Sequence, residues 1–204
     1  MEAKSHWERV YRTRQPDEVS WYRPHLDVSL GLITAAVTNR DASIVDVGGG
    51  EATLVDDLLD LGYRDLAVLD ISETALGVAQ ARLGREADNV KWLCGDVTTY
   101  PFERSLLDVW HDRAVFHFLT ERASREAYVR QVTWAVKPQG HVIVATFGPE
   151  GPTQCSGLEV VRYDPHGLHE QFGTSFRLIE HRSELHRTPS GRIQQFVYCF
   201  CRRE

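Results

Sequence analysis

The chain has 204 residues, of which 42% are hydrophobic and 25% are charged, and its formal net charge is −6. This size and composition predict one globular domain, residues 1–204, rather than a disordered chain. The negative charge disfavours a nucleic-acid partner, and no apolar run approaches the roughly 20 residues of a membrane span. Because residues 1–15 are polar and lack the apolar core of an export signal, we expect a cytoplasmic location.

The predicted elements begin with two helices at residues 3–14 and 25–39. A loop rich in aromatic residues, at 15–24, joins them. Nearly continuous apolar runs then predict buried strands at residues 43–47, 66–71, 90–97, 106–112 and 141–147. Helical patterns lie between these strands at residues 52–62, 72–84 and 123–140, and the last helix is predicted to stop before Pro138. This alternation predicts an α/β fold, a doubly wound and mostly parallel sheet with helices on both faces.

The last third of the chain departs from this alternation. A short helix is predicted at 164–173, followed by strands at 175–188 and 192–203 with the turn "PSG" between them. Because no helix separates these two strands, we expect them to pair antiparallel at one edge of the sheet.

A glycine-rich turn follows the first strand, in the segment "VDVGGGEA" at 45–52. Such a turn lets backbone amides approach a ligand without side-chain obstruction. The next strand ends on Asp70, at the same edge of the sheet, where a carboxylate can accept hydrogen bonds from ribose hydroxyls. Together, the glycine-rich turn and Asp70 predict an adenosine-type ligand. The alternative is a structural turn beside an ordinary acid.

The turn does not fit the G-x-G-x-x-G pattern of dinucleotide-binding proteins, because Thr53 occupies the position of the third glycine. In addition, the Glu51 side chain would crowd a pyrophosphate. Asp46, two residues before the first glycine, suits a cationic ligand better than an anionic one. The segment "VDVGGGEA" resembles the D-x-G-x-G-x-G turn of class I S-adenosylmethionine-dependent methyltransferases, with Ala52 replacing the last glycine. The resemblance implies a seven-stranded Rossmann-like methyltransferase sheet, S-adenosyl-L-methionine as cofactor and S-adenosyl-L-homocysteine as product.

Two further segments resemble this family. In "LCGDV" (93–97), the resemblance implies that Asp96 binds the adenine amino group, although a turn residue is the alternative, and that Val97 packs on the ring. The segment 106–119 corresponds to the part of the family fold that faces the cofactor sulfonium and the methyl acceptor. The cofactor contacts implied by the resemblance are Trp7, Tyr11, Trp21, Asp46, Gly48, Gly49, Gly50, Asp70, Ile71, Asp96, Val97 and His111.

A finer resemblance concerns the segments "DVWHDRAVFHFLTERASREAYVRQV" and "FGPEGPTQCSGLEVVRYDPHGLHEQFG". Both are similar to those of thiopurine and halide/thiol methyltransferases. In the same way, "HWERVY" and "VSWY" resemble the Trp-rich lid of these enzymes. The resemblance implies N-terminal helices with a lid at 1–40 and a Rossmann-like core at 41–204, the alternative being that the aromatics only anchor the N-terminus to the sheet.

This resemblance implies methyl transfer to a small soft nucleophile such as a thiol, selenol or metalloid. Arg113 is the expected electrostatic partner of an anionic nucleophile, Asp112 would orient Arg113 or a substrate proton, and His117 would act as a base. The alternatives are a structural ion pair for Asp112 and Arg113 and a packed core residue for His117. His111 and His117 do not share a helix face, so no metal site is predicted.

Other functions stay open at this point. One is methylation of a protein, for example on lysine, or of the nitrogen or oxygen of a small molecule. Another is a non-catalytic domain that binds the cofactor. The sequence predicts a small-molecule partner and leaves the oligomeric state open. Among the cysteines, which we expect to be free thiols, Cys155 lies in the loop expected to border the substrate, and Cys199 and Cys201 share one strand face.

Overall fold

The computed structural model of the chain describes residues 2–204; Met1, the first residue of the predicted N-terminal segment, lies outside them. The α-helices are Glu2–Thr13 (α1), Asp27–Ala36 (α2), Leu54–Asp60 (α3), Glu73–Leu83 (α4), Arg122–Ala135 (α5) and Pro165–Glu170 (α6). Short 3-10 turns occur at Pro16–Glu18, Gly84–Asn89, Phe116–Phe118 and Gly173–Ser175. Within this range, no helix combines the length and the apolar composition that crossing a membrane requires.

The strands form a seven-stranded sheet and a separate two-stranded hairpin. The strands of the main sheet are Ser43–Val47 (β1), Asp65–Asp70 (β2), Val90–Cys94 (β3), Leu107–Arg113 (β4), Val136–Phe147 (β5), Phe176–Arg187 (β8) and Ile193–Arg203 (β9). The hairpin consists of Gln154–Cys155 (β6) and Leu158–Glu159 (β7).

The sheet has the strand order β3-β2-β1-β4-β5-β9-β8, with β1 to β5 parallel and the last two strands antiparallel. This confirms the predicted doubly wound sheet and its antiparallel C-terminal strand pair. From β1 the chain builds outward to β2 and β3 on one side, and then returns to β4 and β5 on the other. Ligands of such sheets bind where the order reverses, in the crevice outside the carboxyl ends of the strands.

The core explains why the central strands are apolar throughout. All five residues of β1 are buried, and alternate residues face opposite sides of the sheet. Ile44 and Val109 belong to the apolar cluster on one face, whereas Val45 and Trp110 belong to the cluster on the other. Apolar clusters therefore fill both faces of the sheet, and a polar ligand site is expected at the strand ends.

Two predicted boundaries differ from the structure by a few residues. The helical pattern at 123–140, predicted to stop before Pro138, ends at Ala135, and Val136 already pairs with Leu107 as the first residue of β5. The register shifts after this pair, and Gln139 has a φ of +67°, a left-handed conformation that no helix accommodates, so this segment is an irregular start of the strand. The strand predicted at 90–97 ends at Cys94.

Candidate active site

A cavity of about 220 Å³ opens at the carboxyl ends of β1, β2, β3 and β4, beneath the N-terminal segment. It brings together most of the residues that the sequence assigned to the cofactor. These lining residues are Trp7, Tyr11, Trp21, Gly48, Asp70, Ile71, Asp96 and Val97. Arg113, at the end of β4, lines the same cavity.

The glycine turn closes one wall of this cavity. Gly48 and Gly50 have φ angles of +67° and +46°, which favour glycine. A Cβ atom on Gly48 would lie 1.9 Å from the Val115 side chain, and one on Gly49 would lie 2.5 Å from an Asp46 oxygen. All three positions therefore need glycine, because the turn is held close to its neighbours. Gly48 lines the larger cavity, whereas Gly49 lines only a smaller one and Gly50, also predicted to contact the cofactor, lines neither.

Asp70 ends β2 with its side chain 5% exposed. Its Oδ1 accepts a hydrogen bond from the Ser72 amide at 2.8 Å, and its Oδ2 faces the glycine turn, 2.9 Å from where a Cβ on Gly50 would lie. Burial, with a smaller contribution from Asp46, raises the pKa of Asp70 to about 7. A ligand hydroxyl that donates to this carboxylate would favour its ionised form.

Asp96 and Val97 lie beyond the end of β3. The Asp96 Oδ1 atom accepts hydrogen bonds from the amide and hydroxyl of Thr98, at 2.8 and 2.7 Å. The residue therefore serves the turn, as in the alternative interpretation, and still lines the cavity with its exposed side chain. Val97 is buried at the cavity wall, the placement expected of a residue that packs on a flat ring.

Asp46 and His111 lie behind the glycine turn rather than in the larger cavity. Both are buried, and Asp46 Oδ1 lies 2.7 Å from His111 Nδ1, while His111 Nε2 lies 2.9 Å from the Ser29 hydroxyl. With Gly48 and Gly49, they line a second cavity of about 40 Å³. Asp46 thus packs against Gly49 of the turn, and Asp46 and His111 both border the small cavity.

Arg113 is held in place from several sides. Its Nε donates to the Tyr198 hydroxyl at 3.0 Å, its Nη1 to the Trp21 carbonyl at 3.3 Å, and its Nη2 lies 3.5 Å from Glu184. Glu184 also accepts from Tyr198 and pairs with Arg23. Burial alone would raise the pKa of Glu184. The pKa is nevertheless below its usual value, because Arg113 and, to a smaller extent, Tyr198 and Arg23 stabilise the carboxylate. Two cations thus share one carboxylate beside the cavity.

Asp112 and His117 line neither of these two cavities. Asp112 is fully buried and accepts hydrogen bonds from the Val115 and Phe116 amides and the Tyr128 hydroxyl. His117 is also buried; its Nδ1 accepts from the Phe147 amide at 3.3 Å, and burial lowers its pKa to about 3. The geometry favours a structural role for both, and the partner of Arg113 is Glu184 rather than Asp112.

Aromatic side chains of the N-terminal segment cover the larger cavity. The Trp7 ring contacts Phe118, Trp21 and Tyr11, at centroid distances of 5.0, 5.9 and 6.0 Å. Helix α1 is fastened to the first turn of α4, where the Glu8 carboxylate accepts from the Glu73 amide at 2.7 Å. These contacts place the aromatic side chains at the cavity wall, and the lid interpretation stays a prediction.

Trp7→Ala is expected to weaken S-adenosylhomocysteine binding about tenfold, because three ring contacts worth roughly 0.5–1.5 kcal/mol each are lost from the cover. Isothermal titration calorimetry measures the change. Trp134→Ala, at an aromatic residue 49% exposed on α5, is the matched control and should leave the affinity unchanged. Equal affinities for the wild type and Trp7→Ala would show that the aromatic side chains only anchor the N-terminal segment to the sheet.

Several lining residues were not assigned from the sequence. They are Ala3, Val47, Leu69, Gly95, Ala114, Val115, Phe118, Leu119 and Leu158. Those near strand ends could have been found from the strand predictions, but Leu158 belongs to a hairpin that no pattern indicated. Cys155 borders the cavity as expected; it is buried, and burial raises the pKa of its thiol to about 11.

The residues present fit S-adenosylmethionine. Asp46, Glu51 and Asp70 place three buried carboxyl groups around the glycine turn, and neither oxygen of Glu51 has a hydrogen-bond partner among the described residues. Such a site favours a cation over a phosphate-bearing ligand. Asp70, Asp96 and Val97 would hold the adenosine, and the turn would hold the amino-acid end. In residues 2–204, no group of three or more His, Cys, Asp or Glu side chains is arranged for a metal ion.

Comparisons with known proteins agree with this geometry. A family model described as a methyltransferase domain matches residues 44–140. The eEF1A lysine and N-terminal methyltransferase of Danio rerio is 31% identical over 111 residues, which are 54% of this chain and 16% of that protein. The chain therefore spans about a sixth of the length of that curated relative.

Solved structures match over nearly the whole chain. One, described as "Conversion of a Disulfide Bond into a Thioacetal Group during Echinomycin Biosynthesis", has a TM-score of 0.78 at 17% identity and covers 99% of this chain and 92% of its own. Another is the 1,6-didemethyltoxoflavin-N1-methyltransferase of Burkholderia thailandensis with bound S-adenosylhomocysteine, with a TM-score of 0.73 at 18% identity, covering 98% and 87%. At these identities the likeness shows the fold. Residues 44–140 thus match a methyltransferase domain, nearly the whole chain shares the fold of these solved structures, and the residues of its cavity fit S-adenosylmethionine as the cofactor.

Proposed function

We propose that the protein transfers a methyl group from S-adenosylmethionine to a small soft nucleophile, a thiol, selenol or metalloid, as in the thiopurine/halide/thiol group. The observation that carries this proposal is the wall of the larger cavity near the end of β4. It consists of apolar and aromatic side chains with a single charged group, Arg113, and is lined by Trp21, Ala114, Phe118, Cys155 and Leu158. We refer to it as the acceptor wall.

The acceptor wall suits an anionic or apolar acceptor. When bound, the cofactor supplies a methyl group on a positively charged sulfur, which an electron-rich atom can displace. Arg113 would hold an anionic nucleophile and raise the ionised fraction of a thiol. Because the covering aromatics exclude water, the attraction would be stronger than in solution. Neither Asp112 nor His117 reaches the cavity, so the proposal uses acceptors that need no base.

Residues 2–40 would act as the cover and residues 41–204 as the core that binds the cofactor. The cytoplasmic location and the small-molecule partner belong to the same proposal. They are supported by the composition and by the small volume of the cavity, about 220 Å³, whose wall includes Trp7 in contact with Phe118.

Methylation of a protein amino group is the second candidate. It is favoured by the curated relatives, eEF1A lysine and N-terminal methyltransferases at 25–31% identity. Against it stands the acceptor wall, which offers no carboxylate to a lysine ammonium; the acids of the larger cavity, Asp70 and Asp96, lie on the side of β2 and β3. The two candidates therefore differ in the charge of the acceptor.

A methyl-transfer assay separates the two candidates. The full-length protein is incubated with cofactor labelled on the methyl group and with thiols, selenide, arsenite, free lysine, or purified elongation factor eEF1A. We expect label in the thiol, selenide or arsenite reactions, with a rate that rises with pH as a thiol ionises near its usual pKa of about 8.5. Label in the protein alone would overturn the small-molecule proposal and establish the second candidate.

Arg113→Ala is expected to lower kcat about 10- to 100-fold, because a charge-assisted contact worth roughly 1.5–3 kcal/mol is lost from the acceptor wall. The dissociation constant of S-adenosylhomocysteine should change less than kcat does, since β1 separates β4, which carries Arg113, from β2 and β3, whose ends carry Asp70 and Asp96. Steady-state kinetics on an accepted thiol and calorimetry measure the two quantities.

Two variants show whether the loss comes from the charge. Arg113→Lys should recover part of kcat, whereas Arg85→Ala, at an exposed arginine between α4 and β3, should match the wild type. If Arg113→Ala turned over at the wild-type rate with a lower melting temperature, its role would be structural.

A further inference from the structure

Glu51 is a buried acid at the end of the glycine turn, and no side chain of the described residues contacts its carboxyl oxygens through a hydrogen bond. It follows Gly50 directly, its side chain is 5% exposed, and both carboxyl oxygens lack a hydrogen-bond partner among the described residues. An unpaired carboxylate is costly to bury unless it becomes neutral or meets a cation. This side chain has no partner in the fold and does not belong to the acceptor wall. The free-energy cost of burying its carboxylate would be offset if a cationic ligand bound beside it.

The cavity beside Glu51 adjoins the larger one. It measures about 40 Å³, and it shares Trp21, Gly48 and Arg113 with the larger cavity. This volume accommodates a group of a few atoms rather than a second molecule. A ligand that fills the larger cavity can therefore extend past Gly48 toward Glu51.

The charges around Glu51 leave room for one more cation. Asp70 and the Tyr11 hydroxyl face it across the turn, and Asp70 raises its pKa further. On the side of α4, the Arg82 charge partly offsets the rise in the pKa of Glu51. Its guanidinium donates to the Glu51 carbonyl at 2.7 Å and to Asp56 at 2.7 Å, and it does not contact the Glu51 carboxyl oxygens.

The remaining charges of the small cavity are already paired. Asp46 lies against His111, and Arg23 and Arg113 share Glu184. Burial raises the pKa of Glu51 to about 7, so the free protein holds this carboxyl partly protonated at neutral pH.

We propose that Glu51 receives the ammonium group at the amino-acid end of the cofactor and that its carboxyl proton passes to solvent as the cofactor binds. The neutral carboxyl group becomes a carboxylate: the O–H bond of Glu51 breaks, the proton leaves to solvent, and the ammonium takes its place as the positive charge beside Oε1 and Oε2. The residue thereby distinguishes an amino-acid-bearing nucleoside from one without that group. This inference rests on the cofactor assignment and not on the identity of the methyl acceptor.

Calorimetry with two nucleosides tests the contact. S-adenosylhomocysteine carries the ammonium, whereas 5′-methylthioadenosine lacks the amino-acid end. Glu51→Gln should weaken binding of the first at least about tenfold and leave binding of the second within twofold. Glu51→Asp should recover part of the loss, and Glu103→Gln, at an exposed glutamate before β4, should have no effect on either nucleoside.

The proton count provides a second readout. Titrations at about pH 6.5 in buffers of different ionisation enthalpy give the number of protons released. The release with 5′-methylthioadenosine reports Asp70, and the additional release with S-adenosylhomocysteine, about three quarters of a proton for a pKa of about 7, reports Glu51. This addition should vanish in Glu51→Gln.

The outcomes are distinct. Equal weakening of both nucleosides in Glu51→Gln, or an unchanged affinity for S-adenosylhomocysteine, would overturn the proposal. Because no methyl acceptor is present, these measurements succeed or fail independently of the methyl-transfer assay.

Discussion

Asp70→Ala is expected to weaken the binding of S-adenosylhomocysteine about 100-fold or more. The buried Asp70 carboxylate is the acid placed to accept hydrogen bonds from ribose hydroxyls, and its Oδ2 faces the glycine turn rather than the protein backbone. Loss of charge-assisted hydrogen bonds worth roughly 1.5–3 kcal/mol each accounts for a change of this size. Calorimetry at pH 8, where the carboxylate is ionised, measures the affinity.

The substitution also removes the acceptor of the Ser72 amide, so the fold needs its own control. Circular dichroism and thermal melting should show a folded protein, and Asp70→Asn, which keeps an acceptor for this amide, should lose affinity with a smaller loss of stability. Asp88→Ala, at an exposed acid between α4 and β3, should bind like the wild type. Wild-type affinity in Asp70→Ala would remove Asp70 from the ribose contacts.

Asp112→Ala is expected to lower the free energy of unfolding by about 4 kcal/mol. Its two oxygens accept from the Val115 and Phe116 amides and from the Tyr128 hydroxyl, all enclosed in the core. Without the carboxylate these donors lose their partner, at a cost of roughly 1–3 kcal/mol for each donor that water cannot reach. Urea unfolding at pH 7.5 measures the change.

The effect should concern stability more than chemistry. In the folded fraction, S-adenosylhomocysteine should bind with an affinity within about fivefold of the wild type, since Asp112 does not line the cavity. Tyr128→Phe, which removes one of the three donors, should lose about 1 kcal/mol. A stable Asp112→Ala protein without turnover would instead assign Asp112 to the reaction.

The residues expected to contact the cofactor could be predicted because they directly follow strands that the sequence pattern identifies. Once the strands are placed, the residues that follow β1, β2 and β3 must meet at one edge of the sheet. Gly48, Asp70 and Asp96 line the cavity there for that reason. The contribution of each residue to binding stays a prediction until the variants are measured.

The acceptor half depends on contacts between distant segments, and patterns do not reveal these. Glu184, which holds Arg113, lies on β8, 71 positions further along the chain, and reaches it only because β9 brings β8 to that side of the sheet. In the same way, the neighbours Asp112 and Arg113 read as a pair in sequence but point to opposite faces of β4. Strand alternation could have shown this separation.

The cavity therefore has two walls of different origin. The adenosine wall is built by the strand ends of the parallel sheet, whereas Trp7, Trp21, Cys155 and Leu158 come from the N-terminal segment and a two-stranded hairpin at the periphery. Changes in these outer pieces disturb no strand pairing of the main sheet. If the proposed function holds, substitutions in these outer segments should change the choice of methyl acceptor with little effect on nucleoside binding.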